Sequence, residues 1–151
     1  MPTPELFSLE AANALLPRIR VICERQFAQR RDIENALQSL NEKTGEAPEP
    51  GATRGVVTMS ADDTTSVRKM KREIVMLVER YRAGWREVEE LGVVVKDPRV
   101  GLVDFLGELD GSPVYFCWRY GEHDVRHYHA LHEGAASRKE LADRTRRHLL
   151  N

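Results

Sequence analysis

The two-residue segment Asp110-Gly111 constrains the fold of this chain more than any other feature. Aspartate followed by glycine favours a type I′ turn, in which both residues take a positive φ. Apolar runs at 102–106 and 114–119 flank the segment. The sequence therefore predicts two antiparallel strands joined by a tight turn.

A two-residue loop also fixes which side chains share a face of this hairpin, because a shift by one residue exchanges the two faces. We predict that Asp104 lies opposite Cys117, with Arg119 diagonal to Asp104, on one face. The other face is expected to be apolar and to pair Phe105 with Phe116 and Val103 with Trp118, next to Val114.

An apolar stripe upstream of the hairpin predicts a long helix over residues 60–91. Its apolar residues recur every three or four positions, as on one side of an α-helix. We expect this helix to begin at Ser60, which forms a capping box with Asp63, and to end at Gly92. The stripe consists of Val67, Met70, Ile74, Leu77, Tyr81, Gly84 or Trp85, Val88 and Leu91.

A second stripe predicts another long helix within residues 1–43. Ser8 is expected to cap its first turn, and Pro17 predicts a kink or a restart because proline lacks a backbone donor. Residues 44–59 contain three glycines and two prolines and predict a flexible loop. Two long helices joined by such a loop are expected to form an antiparallel hairpin.

The order of these elements predicts an α+β fold in a single domain. It consists of the long antiparallel helical hairpin, a small antiparallel β-module over 92–138, and a short C-terminal helix within a basic tail, 139–151. A chain of 151 residues is of ordinary size for one domain. The stripe over 67–91 is too long for one hairpin partner to cover, which predicts a homodimer.

Charge and hydropathy exclude several classes of partner. The formal net charge of −1 argues against general binding to nucleic acids or membranes. No apolar run approaches the roughly 20 residues of a membrane span, and the N-terminus has no signal-peptide pattern. We therefore expect a cytoplasmic protein with a protein partner, in which Cys23 and Cys117 are buried thiols.

The histidines near the C-terminus predict one candidate metal site. His127 and His129 are two residues apart, so in a strand they point to the same side, with Glu122 nearby in sequence. Imidazole and carboxylate groups suit divalent zinc or iron. The alternative is that His129 is a hydrogen-bonded structural histidine and that His123, His127 and His132 are surface residues.

An ionic cluster is the second candidate. A histidine beside a carboxylate can act as an acid or base near neutral pH, but no nucleophile with a matched base accompanies the group. The simpler interpretation is a network that holds the C-terminal segment on the hairpin, with Trp118 in the core. The cluster consists of Asp104, Arg119, Glu122, His129 and Arg138.

Several short motifs occur along the chain: LFSLEAANALLP near the start, VKDP at 95–98, GLVDF at 101–105 and CWRYGE at 117–122, followed by His129, Gly134 and Arg138. Together they resemble a bacterial family described as domain of unknown function 2203. The resemblance implies no activity and singles out Asp104, Trp118, Arg119, Glu122, His129 and Arg138. Two departures from the family pattern are Ala11, where an acidic residue is frequent, and Tyr128, where a Trp is frequent.

These observations favour a non-catalytic cytoplasmic interaction or scaffold protein. Two alternatives stay open. One is a small metal-binding protein with Glu122, His127 and His129 as ligands. The other is an enzyme that uses the Asp/Arg/Glu/His cluster.

Overall fold

The computed structural model describes residues 5–150 and has the predicted α+β fold class. None of the helices within this range is long and apolar enough to cross a membrane. The elements are α1 (Leu9–Thr44), α2 (Thr65–Glu90), β1 (Val94–Asp97), β2 (Leu102–Leu109), β3 (Ser112–Arg119), β4 (His127–Ala130), β5 (Lys139–Glu140) and α3 (Asp143–Leu150).

The chain divides into two compact units, and each is described by itself. The sheet unit contains residues 5–23 and 85–150 of the described chain, and the helical unit contains Glu24–Gly84. Helix α1 contributes its first part to the sheet unit and its remainder to the helical unit. The predicted single domain stays a prediction.

Helix α1 begins directly after its predicted cap, Ser8, and runs without a break through Pro17. The N–H of Ala11 donates to Ser8 Oγ at 3.0 Å, which confirms Ser8 as the cap. Of the predicted kink or restart at Pro17, the restart is wrong, since α1 runs through this residue. Leu16 and Ile19 on either side of it are buried, and this packing outweighs the loss of one helical hydrogen bond. The kink stays a prediction.

Helix α2 begins at Thr65, so the predicted start at Ser60 is wrong. Ser60 and Asp63 do interact, because the Ser60 N–H donates to Asp63 Oδ2 at 2.9 Å. This contact closes a separate turn ahead of the helix. Thr64 caps the helix instead and accepts a hydrogen bond from the N–H of Val67 at 3.2 Å.

The helical unit has its own core, in which both helices and the connecting segment take part. Leu77 of the predicted stripe is only partly buried, whereas the next residue, Val78, is buried, because the helical period of 3.6 residues moves the stripe round the helix. The segment 44–59 contains a short 3₁₀ turn, Ala52–Arg54; its predicted flexibility stays a prediction. The buried cluster is Ile33, Leu37, Ala52, Ile74 and Val78.

The sheet unit contains one antiparallel sheet with the strand order β1-β2-β3-β4-β5. Asp110 and Gly111 have φ values of 53° and 78°, as a type I′ turn requires. The predicted register of the hairpin is confirmed for all three facing pairs: Asp104 with Cys117, Phe105 with Phe116, and Val103 with Trp118.

The apolar face of the sheet is buried and contacts both the segment just before α1 and α1 itself. Phe7 packs edge-on against Phe105 with ring centroids 5.3 Å apart, and the Arg20 guanidinium lies 5.7 Å from the Trp118 ring centroid. The predicted end of the β-module at residue 138 is wrong. Strand β5 pairs with β4 and extends the sheet beyond it.

Candidate functional site

Three adjacent strands bring Asp104, Cys117 and His129 together on the polar face of the sheet. Asp104 on β2 pairs directly with Cys117 on β3, and His129 on β4 pairs with Tyr115, two residues from Cys117. Side chains two apart on a strand share a face. The exposed fractions of the three residues are 0%, 0% and 1%, so the cluster is sealed from solvent.

The pair His129–Asp104 is held by two hydrogen bonds to the imidazole. His129 Nδ1 lies 2.9 Å from the Ala130 carbonyl oxygen, which can only accept, so Nδ1 carries a proton. His129 Nε2 lies 2.9 Å from Asp104 Oδ2. A hydrogen bond between these two atoms needs one further proton, and the imidazole and the carboxylate share it. Burial raises the pKa of Asp104, and the nearby imidazole opposes this rise.

Cys117 completes the cluster and connects it to Arg138. Its thiol lies against the Asp104 carboxylate and the Arg138 guanidinium. Burial, followed by the negative charge of Asp104, raises the pKa of the thiol to about 12. The thiol is therefore protonated at neutral pH. Asp104 Oδ1 is buried, and no donor within residues 5–150 reaches it with normal hydrogen-bond geometry.

A second, less buried group forms around Glu122. Its Oε1 atom accepts hydrogen bonds from the backbone N–H of Arg119 at 2.7 Å and from Arg138 Nη1 at 2.8 Å. Its Oε2 atom lies 3.3 Å from His127 Nδ1. The group fixes the loop after β3 and attaches Arg138 to it.

The predicted metal ligands lie in these two different groups. Glu122 and His127 are neighbours, but His129 pairs with Asp104. Within the described part of the chain, one set of three metal-binding side chains lies within 4.8 Å, and it is Asp104, Cys117 and His129. Metal binding by Glu122, His127 and His129 stays a prediction.

The predicted ionic cluster is likewise divided. Asp104 and His129 form one pair, Glu122 and Arg138 form the other, and the Arg119 side chain is exposed. Trp118 lies in the core, as expected, and its Nε1–H donates to the Glu122 carbonyl oxygen at 3.0 Å.

The family to which the chain belongs is shown by a match to a family model. The model of the family described as uncharacterized conserved protein, DUF2203, matches residues 5–141. The chain belongs to this family. Every residue of both groups lies within the matched segment. No curated protein and no solved structure gives a match.

Proposed function

We propose that the protein is a non-catalytic interaction protein of the cytoplasm. The burial of Asp104, Cys117 and His129 carries this proposal. These three residues are the buried acid–base and nucleophilic groups of the candidate site, and acid–base catalysis requires such a group within hydrogen-bond reach of its substrate. In this proposal the sealed cluster stabilises the sheet, and a binding site lies elsewhere in the molecule.

The helical unit offers the binding site in this proposal. It contains a cavity of about 550 Å³ at the end of the helices where residues 44–64 connect them. Ligand sites commonly have volumes of roughly 300–1,000 Å³. Apolar side chains such as Leu37 and Val67 line part of the cavity. The charged residues of the lining are four carboxylates, Glu46, Glu49, Asp62 and Asp63, and two ammonium groups, Lys43 and Lys71.

Three of these charged groups already have partners within the chain. Lys71 Nζ lies 2.8 Å from Asp63 Oδ2, and Glu49 accepts hydrogen bonds from Thr58. Glu46 and Asp62 are exposed. An apolar lining with exposed carboxylates favours a partner segment that presents an apolar side chain beside a positive charge.

Two short peptides with the same apolar residues, one with Lys and one with Glu, test this proposal. We expect the Lys peptide to bind more tightly in a fluorescence polarisation titration of the full chain. The double variant Glu46→Lys/Asp62→Lys should weaken binding about tenfold, by removing two attractive charges. Glu73→Lys, an exposed position outside the cavity, is the control. Equal binding of both peptides, or none at millimolar concentration, contradicts the proposal.

The homodimer is a separate proposal. The stripe that predicted it has intramolecular partners, since Ile74 and Val78 pack with Ile33 and Leu37. The support that remains is an exposed apolar pair on α2, Val75 and Met76. Light scattering at high micromolar concentration should give twice the chain mass, and Met76→Lys should lower it. A monomeric wild-type protein contradicts the proposal.

A further inference from the structure

We propose that Asp104, Cys117 and His129 bind one zinc ion that joins β2, β3 and β4. Carboxylate oxygen, thiolate sulfur and imidazole nitrogen are the ordinary zinc ligands. Here they lie within 4.8 Å of one another. Tetrahedral zinc with bonds of about 2.0–2.3 Å separates its ligand atoms by roughly 3.3–3.6 Å. Movements of about 1 Å therefore close the site.

The orientation of His129 supports this assignment independently. Histidines that bind a metal through one ring nitrogen usually donate the other N–H to a carboxylate or a backbone carbonyl. The Nδ1 atom of His129 makes such a contact with the Ala130 carbonyl oxygen at 2.9 Å. The contact fixes the ring and directs Nε2 towards Asp104, where the ion would lie.

The unpartnered oxygen of Asp104 is the second supporting observation. Buried polar atoms in proteins nearly always have a partner, yet Asp104 Oδ1 has none among the described residues. A zinc ion bound through Oδ1 would supply the partner that this buried oxygen lacks. The three strands already hold the carboxylate at the site, so the chain needs no new backbone arrangement to bind the ion.

The charges of the site balance when zinc is bound. One carboxylate and one thiolate neutralise the two positive charges of the ion, and the imidazole ligand is neutral. Arg138 adds no net charge because Glu122 pairs with it at 2.8 Å. Its guanidinium lies against Cys117 and can donate a hydrogen bond to the thiolate.

Zinc binding must release two protons. One leaves the Cys117 thiol as the sulfur–zinc bond forms. The other is the proton shared by His129 Nε2 and Asp104 Oδ2, which leaves when Nε2 binds the ion. Isothermal titration calorimetry in buffers of different ionisation enthalpy should therefore give about two protons per zinc near pH 7.

Cobalt(II) titration of the reduced, untagged full chain tests the ligands. We expect one cobalt per chain, with a near-ultraviolet absorption band from sulfur-to-metal charge transfer. The two buried cysteines provide a matched pair of variants. Cys23→Ala should retain the band, and Cys117→Ala should lose it. Asp104→Asn should weaken binding at least tenfold, and circular dichroism of each variant checks that it is folded.

Zinc should also stabilise the wild-type chain, raising Tm by roughly 5–10 °C when free zinc is a hundredfold above Kd. Failure of the wild-type chain to bind cobalt or zinc stoichiometrically overturns the proposal, as does a charge-transfer band that survives in Cys117→Ala. Loss of binding in His127→Ala with retention in Cys117→Ala also overturns it, in favour of Glu122, His127 and His129. The peptide titration described above tests the cavity of the helical unit, and its outcome does not depend on whether zinc binds.

Discussion

His129 on β4 reaches across β3 to place its Nε2 atom 2.9 Å from Oδ2 of Asp104 on β2. The pair thereby connects two strands that are not neighbours in the sheet. Both side chains are buried, so neither can exchange its partner for water. The His129–Asp104 hydrogen bond therefore holds β2 and β4 in place on either side of β3.

The energetic coupling of this pair can be measured with a double-mutant cycle. Asp104→Leu should lower the free energy of unfolding by about 3–5 kcal/mol, because it leaves a buried imidazole without its partner. The double variant Asp104→Leu/His129→Leu should cost less than the two single variants together, by about 1–3 kcal/mol. Urea unfolding of the four proteins measures this difference, and strictly additive effects would show that the two residues are independent.

Alkaline unfolding should depend on Cys117. The pKa of its thiol is about 12 in the folded chain, against an ordinary value of 9.0. Between these values the unfolded chain has lost a proton that the folded chain retains, so the free energy of unfolding falls as pH rises. One group contributes at most about 1.4 kcal/mol per pH unit.

The measurement is the difference in pH dependence between wild-type protein and Cys117→Ala. Both proteins are reduced and treated with a chelator, so that no metal changes the state of the thiol. The free energy of unfolding of the wild-type protein should fall more steeply from pH 9 upwards. The other groups that titrate at alkaline pH are the same in both proteins, so they do not contribute to the difference. Parallel curves would be incompatible with a buried, protonated Cys117.

Close packing makes Gly84 sensitive to a single added methyl group. A Cβ atom at this position would lie 1.9 Å from Oε1 of Gln26, which is fully buried. Gly84→Ala should destabilise the chain by roughly 1–3 kcal/mol, even though alanine favours a helix by about 1 kcal/mol. Adding Gln26→Ala should recover part of this loss in thermal unfolding. A Gly84→Ala chain more stable than wild type would show that Gln26 moves aside freely.

The hairpin was predictable from sequence because its information is local. Asp110-Gly111 fixes the turn, the turn fixes the register, and the register places Asp104 opposite Cys117. The start of α2 was not predictable in the same way. Ser60 and Asp63 form a capping contact as expected, but the local pattern does not say whether a helix or a separate turn follows it.

The composition of the buried cluster was only partly predictable. Asp104 and His129 stood out as ionisable residues on the family pattern, whereas Cys117 had no matched base near it in sequence. Strand β4 follows a loop without a clear turn signal, so its register against β3 depends on tertiary packing. The pairing of Tyr115 with His129 brings the imidazole next to Asp104, and no local rule predicts that pairing.

We infer that the Asp104–Cys117–His129 cluster is sealed within the fold and does not meet a substrate. Thiol labelling of the Cys23→Ala chain, with a chelator present, tests it most directly, because Cys117 is then the one cysteine in the chain. We predict that labelling in native buffer is at least roughly a thousandfold slower than in denaturant, as expected for access through global unfolding. Labelling within about tenfold of the denatured rate would show an open site and contradict the account.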